Sequence, residues 1–298
     1  MALRFHTLDV FTDQAYGGNP LAVVFGGDAL GTAQMQRIAR EFNLSETVFV
    51  LTPTRSDALH RIRIFTPTAE LPFAGHPTIG TACLLSELGL APKGEPATFA
   101  IEEGVGLVPI RLQHTPGEAS YAELTTAVLP EYGPAFDDVT ALAAVLGLEA
   151  GDLGSAGEVP RNASCGLPFL LVPLRSPELL AAIDFDVIAA RRLLGTAWAQ
   201  QLYVYARGYE GELRARMFAP ALGMVEDPAT GSAAAALAGA LGSEADDDGR
   251  LEWTILQGLE MGRPSRIQIS VDRTGGQVTA VRVGGCSVLM SDGLLGTG

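Results

Sequence analysis

Lysine is nearly missing from this chain: Lys93, set between Pro92 and Gly94 in a turn-like segment, is the only one among 298 residues. Pyridoxal-phosphate and Schiff-base chemistry need a desolvated lysine and a Walker loop needs Gly-Lys-Ser/Thr, so all three are set aside. Cysteine is scarce too. Cys83, Cys165 and Cys286 form an odd set without CxxC spacing, which argues against a disulfide framework and against a zinc site. The four histidines, His6, His60, His76 and His114, stand apart with no HExxH or HxH, so no protein-bound metal is expected. Lys/Arg clusters are lacking and the formal net charge is −14, which disfavours a nucleic-acid partner. No apolar run is long enough to cross a bilayer, and the N-terminus has no charged segment followed by an apolar one. The expectation is a cytoplasmic protein with no membrane partner.

What the chain does have is one phrase stated twice. Arg61-Ile62-Arg63-Ile64-Phe65-Thr66-Pro67, followed by Glu70-Leu71-Pro72-Phe73-Ala74-Gly75-His76-Pro77, returns as Arg214-Ala215-Arg216-Met217-Phe218-Ala219-Pro220, followed by Glu226-Asp227-Pro228-Ala229-Thr230-Gly231-Ser232. Each copy reads as a strand, a turn and a helix start. A looser echo pairs Gly18-Asn19-Pro20-Leu21 with Gly166-Leu167-Pro168-Phe169, each a Gly/Pro turn feeding an apolar strand. A period near half the chain means duplication rather than a solenoid. Two homologous domains follow, 1–118 and 119–298, with the last strand around Cys286 to Met290 free to return to the first, and a ligand is expected in the cleft between the halves.

The segment Pro77 to Leu88 is apolar around most of its circumference, and its counterpart, Ala229 to Leu241, is mainly alanine. A helix apolar on nearly all sides is enclosed. The expected fold is α+β, with two pseudo-repeated domains, each a curled sheet or barrel around a central helix.

Four polar residues stand out: Glu46, His76, Asp227 and Ser232. His76 and Asp227 each precede a proline, and on that spacing they take equivalent places in the two copies. Asp227 also has a plainer reading as a helix N-cap, whereas His76 is a poor cap. A histidine beside the positive end of a helix tends to stay neutral. Thr78, Thr230 and Gly231 lie where first-turn backbone N–H groups can hold a carboxylate, or where small residues merely permit close packing. Glu46, at a helix-to-strand corner, reads alone as a solvated surface group.

These motifs carry a resemblance. Gly18-Asn19-Pro20, Asn43-Leu44-Ser45-Glu46-Thr47, Phe73-Ala74-Gly75-His76-Pro77-Thr78 and Glu226-Asp227-Pro228-Ala229-Thr230-Gly231-Ser232 resemble, in order and over nearly the whole chain, the PhzF family of phenazine-biosynthesis isomerases. The resemblance implies the diaminopimelate-epimerase-like fold and a cofactor-free acid/base isomerase, commonly a homodimer, acting on a small carboxylate. It implies Glu46 as the catalytic acid/base and His76, Asp227 and Ser232 as its polar partners. Asn19, Gly75, Thr78, Thr230 and Gly231 then contact substrate. Related amino-acid epimerases use two cysteines, whose places here are expected at Ala74 and Pro228. The rival readings are an epimerase or racemase needing a second base, and a non-catalytic binding protein that kept the fold.

Overall fold

A computed structural model of the protein describes residues 2–115, 117–155 and 157–296. The chain forms two compact units, one of Met1–Ala127 with Val283–Gly298 and one of Val128–Arg282.

The first unit contains β1 (Ala2–Val10), β2 (Asn19–Phe25), α1 (Thr32–Phe42), β3 (Glu46–Leu51), β4 (His60–Phe65), β5 (Glu70–Leu71), α2 (Gly75–Glu87), β6 (Ala97–Glu103), β7 (Gly106–Gln113) and β8 (Tyr121–Thr125). The second contains β9 (Glu131–Ala135), α3 (Val139–Leu146), β10 (Arg161–Ser164), β11 (Pro168–Pro173), α4 (Glu178–Ala182), α5 (Val187–Leu194), β12 (Leu202–Arg207), β13 (Leu213–Ala219), β14 (Met224–Asp227), α6 (Gly231–Glu244), β15 (Gly249–Gln257) and β16 (Ser265–Thr274). The last strand, β17 (Gln277–Gly296), begins in the second unit and passes into the first, where Ser287 to Gly296 pair with β1.

Strand pairing closes the first unit on itself. β1 pairs with β2, β2 runs parallel to β3, β3 pairs with β4, β4 runs parallel to β6, and β6, β7 and β8 follow as antiparallel neighbours. β17 joins β8 back to β1, making a closed barrel of eight strands. The pairing of β8 with β7 places it in the first unit, so the division falls after Ala127.

Inside the barrel runs α2, buried from Gly75 through Leu85. Its position requires Gly80: a Cβ there would stand 2.6 Å from both Leu21 Cδ2 and Val10 Cγ2. The sequence places the start of this helix at Pro77, but it begins at Gly75. The first four N–H groups of a helix have no intrahelical partner, so proline at the third position costs no hydrogen bond.

The second unit repeats the plan. β10, β11, β12, β13, β15 and β16 pair in the same order and sense as β1, β2, β3, β4, β6 and β7. α6 takes the place of α2, and its residues from Gly231 to Gly242 are buried except Ser232. Outside the sheets lie the amphipathic helices. Met35, Ile38 and Ala39 of α1 pack against Phe49, Leu51 and Phe65, and α3, α4 and α5 cover Leu202, Val204 and Ala206.

His6 on β1 is a flaw in the first unit. Its ring is buried edge-on against Phe25 (5.7 Å, 88°), and neither ring nitrogen has a hydrogen-bond partner among the described residues. Burial holds its pKa below the usual histidine value. Orphaned buried polar atoms cost ~1–3 kcal/mol each. His6→Phe, which keeps the aromatic contact, should raise stability by about 1 kcal/mol in urea unfolding, and a loss of stability would show that those nitrogens are satisfied.

Candidate active site

Glu46 owes its position to the end of α1. Asn43 closes that helix in the left-handed conformation (φ 52°), which asparagine tolerates, and Leu44-Ser45 lead straight into β3. Side chains alternate along a strand. Phe49 and Leu51 face α1, so Glu46, Val48 and Val50 lie on the face turned to α2. The parallel pairing of β2 with β3, Leu21 opposite Glu46, brings Asn19-Pro20 to the same end of the barrel.

There His76, on the first turn of α2, meets Glu46. His76 Nδ1 lies 3.2 Å from Glu46 Oε2, with the two side chains only 5% and 12% exposed. Burial pushes the imidazole down to about 3, against the raising effect of its hydrogen bond with the Pro20 backbone. His76 is therefore neutral near neutral pH, and the contact is not an ion pair despite its distance. Its Nε2 is buried and has no hydrogen-bond partner among the described residues.

In the second unit the start of α6 is held by a buried polar network. The Thr230 hydroxyl donates to Asp227 Oδ2 at 2.6 Å. Gln257 Nε2 donates to the Asp227 carbonyl at 2.8 Å and to Thr230 Oγ1 at 3.0 Å. Gln257 Oε1 accepts from the Tyr203 hydroxyl at 3.0 Å and from Thr230 N at 3.3 Å. Asp227 is not the N-cap of α6; Thr230 holds that position.

Strand register aligns the two copies and corrects the equivalence drawn from the prolines. Arg63 forks onto Glu70 with both bonds at 2.6 Å, and Arg216 forks onto Glu226 with both at 2.8 Å. Each guanidinium also lies over the phenylalanine two residues on, Phe65 at 5.1 Å and Phe218 at 5.0 Å. With Phe65 opposite Glu70 and Phe218 opposite Glu226, Pro72 matches Pro228 and Gly75 matches Gly231. The counterpart of His76 is therefore Ser232, and that of Asp227 is Leu71. The two helix N-caps are Ala74 and Thr230, so the second place expected for a thiol is Thr230 rather than Pro228.

The same register makes Gln201 the counterpart of Glu46 in the second unit. Thr47 pairs with Phe65 and Leu202 with Phe218, so the residue before each strand partner is Glu46 in one unit and Gln201 in the other. Gln201 is buried, and its Oε1 has no hydrogen-bond partner among the described residues. The strand ends match as well: His60 and Arg61 pair with Ile101 and Glu102, and Leu213 and Arg214 pair with Ile255 and Leu256, so Glu103 corresponds to Gln257. Sequence reasoning passed over Gln201, Glu103 and Gln257. A third echo, Glu103-Gly104 against Gln257-Gly258 after each central helix, carried the signal for two of them.

Of the other expected site residues, Asn19, Gly75 and Thr78 in the first unit and Thr230 and Gly231 in the second are buried, and Ser232 is half-buried. The cysteines lie elsewhere. Burial raises the thiols of Cys83 and Cys165 to about 12, and each donates to a backbone carbonyl, Ser120 O and Ala235 O. Lys93 is exposed. Among the described residues no group of three or more His, Cys, Asp and Glu is arranged to hold a metal ion, and no helix is long and apolar enough to cross a membrane.

Comparison with known proteins matches residues 8–293 to the family model described as phenazine biosynthesis-like protein, PhzC-PhzF. An uncharacterized isomerase of Mesorhizobium japonicum is 44% identical, with 96% of each chain covered. A trans-2,3-dihydro-3-hydroxyanthranilate isomerase of Pseudomonas aeruginosa is 38% identical over 97% of this chain and 98% of that one. Among solved structures, one titled a predicted epimerase of Pseudomonas aeruginosa is 35% identical, covers 98% of this chain and 99% of its own, and superposes with a TM-score of 0.80.

Proposed function

Because this chain belongs to the phenazine biosynthesis-like PhzC-PhzF family and is an isomerase, we propose that it moves a proton within a small carboxylate-bearing metabolite, with Glu46 as the acid/base. The observation that carries this reading is the buried contact of Glu46 with neutral His76 at 3.2 Å. A carboxylate with access to a reacting C–H must be close to a group that orients substrate without competing for the proton. A neutral imidazole does this, since it can donate or accept a hydrogen bond while carrying no charge of its own.

Glu46, His76, Asn19, Gly75 and Thr78 lie in the first unit, and Asp227, Thr230, Gly231 and Ser232 lie in the second. With a net charge of −14 the molecule repels anions at long range. The backbone N–H groups that open α2 and α6 offset this at short range, where a helix N-terminus favours a carboxylate. Proton transfer then runs in two steps: Glu46 removes a proton from one carbon, and the same carboxyl returns it to another atom of the conjugated system. No external acid is needed, because one group serves both steps.

Gln201 supports a single base. It holds the place in the second repeat that Glu46 holds in the first, and an amide cannot take up a proton at neutral pH, so the duplication supplies no second carboxylate there. Both Ala74 and Thr230 lack a thiol, which disfavours racemisation through paired cysteines.

Trans-2,3-dihydro-3-hydroxyanthranilate is the substrate to test first, because it is named in the P. aeruginosa relative's activity. The protein is incubated with it in D2O while the ultraviolet spectrum and the mass of the product are followed. A spectral change with deuterium incorporated into product supports the reading. Turnover retained within tenfold by Glu46→Gln, or inversion of a chiral centre in an amino-acid assay, would overturn it, whereas turnover without label means that the carboxyl returns the same proton before it exchanges with solvent.

A further inference from the structure

We propose that Glu103 is a protonated positioning residue, whose neutral carboxyl donates to Thr78 and so locks the first turn of α2 on which His76 is carried. Thr78 Oγ1 lies 2.7 Å from the Ala74 carbonyl oxygen and 2.7 Å from Glu103 Oε1. A hydroxyl has a single hydrogen, and a carbonyl oxygen can only accept. Thr78 therefore donates to Ala74, and the second short contact is satisfied when Glu103 supplies the proton.

The surroundings agree. Glu103 is buried, and its Oε2 has no hydrogen-bond partner among the described residues. An orphaned oxygen is far less costly on a neutral carboxyl than on a carboxylate. Burial is the largest effect and raises this carboxyl to about 8, and no charged side chain is among the causes. From α2 it meets Thr78, with neutral His76 two residues before. From β7 its strand partner is Gly106. Its neighbour Glu102 points to the other face of β6, where it accepts from Thr54 and approaches Arg61 at 4.0 Å.

The lock has a purpose at this helix start. The N-cap Ala74 has no side chain to bond the first turn, and the backbone bond from Thr78 N to Ala74 O is long at 3.4 Å. The Glu103–Thr78–Ala74 chain replaces it. At the equivalent place in the second unit Gln257, an amide that is always neutral and always a donor, holds Thr230 and Asp227 directly. Both sites thus need a neutral donor at the end of this strand, and in the first unit a glutamic acid provides it. Glu103 touches neither Glu46 nor substrate in this role; it acts through Thr78.

Three measurements test this, and only the kinetic one rests on the proposed isomerase reading. In infrared difference spectra at pH 7 between the wild type and Glu103→Gln, the wild type should show a carboxylic-acid carbonyl band that shifts in D2O. Carboxylate bands instead would overturn the proposal. For stability, the folded-state pKa lies above the unfolded one, so this contribution is fully present below about pH 4.5 and is lost as the pH rises through about 8. The melting temperature of the wild type should therefore fall relative to Glu103→Gln over that window and run parallel above it. A constant difference would overturn the proposal. In kinetics, Glu103→Leu should lower kcat by about 10²-fold with KM little changed, as expected of a misplaced catalytic turn, while Glu103→Gln restores kcat to within about threefold. Equal losses in both variants would mean that a charge, not a neutral donor, is required.

Discussion

Glu46→Gln lowers kcat by about 10³-fold while ligand affinity stays within about threefold. General acid/base catalysis contributes ~10²–10⁴-fold, and 10³-fold corresponds to about 4 kcal/mol of transition-state stabilisation. The substitution changes little else: the amide has the carboxylate's shape, and its neighbour His76 is already neutral, so no ion pair is broken. It gives the first unit the side chain that the second unit already carries at Gln201. Loss of deuterium exchange together with retained binding of a carboxylate ligand, read by calorimetry, is the expected pair of results. Turnover within tenfold of the wild type would remove Glu46 from the mechanism.

Gly258→Ala is expected to cost about 3 kcal/mol in stability and to abolish activity with it. Gly258 sits at φ +76°, and a Cβ there would stand 2.4 Å from Arg263 O and 2.6 Å from Pro228 O. The left-handed conformation alone costs ~1–2 kcal/mol for a residue with a Cβ. The two close contacts are with backbone, which cannot swing aside as a side chain can, and overpacking of this kind adds ~1–3 kcal/mol. The displaced group matters for function as well. Pro228 O accepts the Ser265 hydroxyl at 3.0 Å, and Pro228 lies between Asp227 and the Thr230 N-cap. Gly262→Ala is the control. It shares the positive φ, at +68°, but has no heavy atom within 4 Å of the added carbon, so only about 1 kcal/mol should be lost. Equal costs in urea unfolding would show that the loop yields freely around Gly258.

The duplication was legible because its repeated phrase is held by repeated contacts. The Arg63–Glu70 and Arg216–Glu226 forks, each with a phenylalanine beneath the guanidinium, need the same residues at the same spacing, so the letters persist. The enclosed central helices were legible from their composition, because a helix inside a closed sheet has no polar face. Alignment within the repeat was less secure. Two His/Asp-Pro steps suggested that His76 and Asp227 correspond, yet Pro77 is the third residue of α2 whereas Pro228 lies two residues before the Thr230 N-cap of α6; proline is tolerated both ahead of a helix and in its first turn, so it marks a helix start only to within a few residues. Ladder hydrogen bonds mark the register to a single residue.

By itself the sequence determined the two-fold plan, the central helices and the residue types available for proton chemistry, because these follow from local spacing and composition, and its ordered motifs carried the resemblance to the PhzF family. Only the tertiary structure decided that Glu46 meets a neutral His76, that Ser232 and Gln201 hold the matching places in the second unit, and that Glu103 is buried against Thr78. Those facts depend on which strands pair and in what register. A side chain's protonation state is set by the neighbours that this pairing brings from distant parts of the chain.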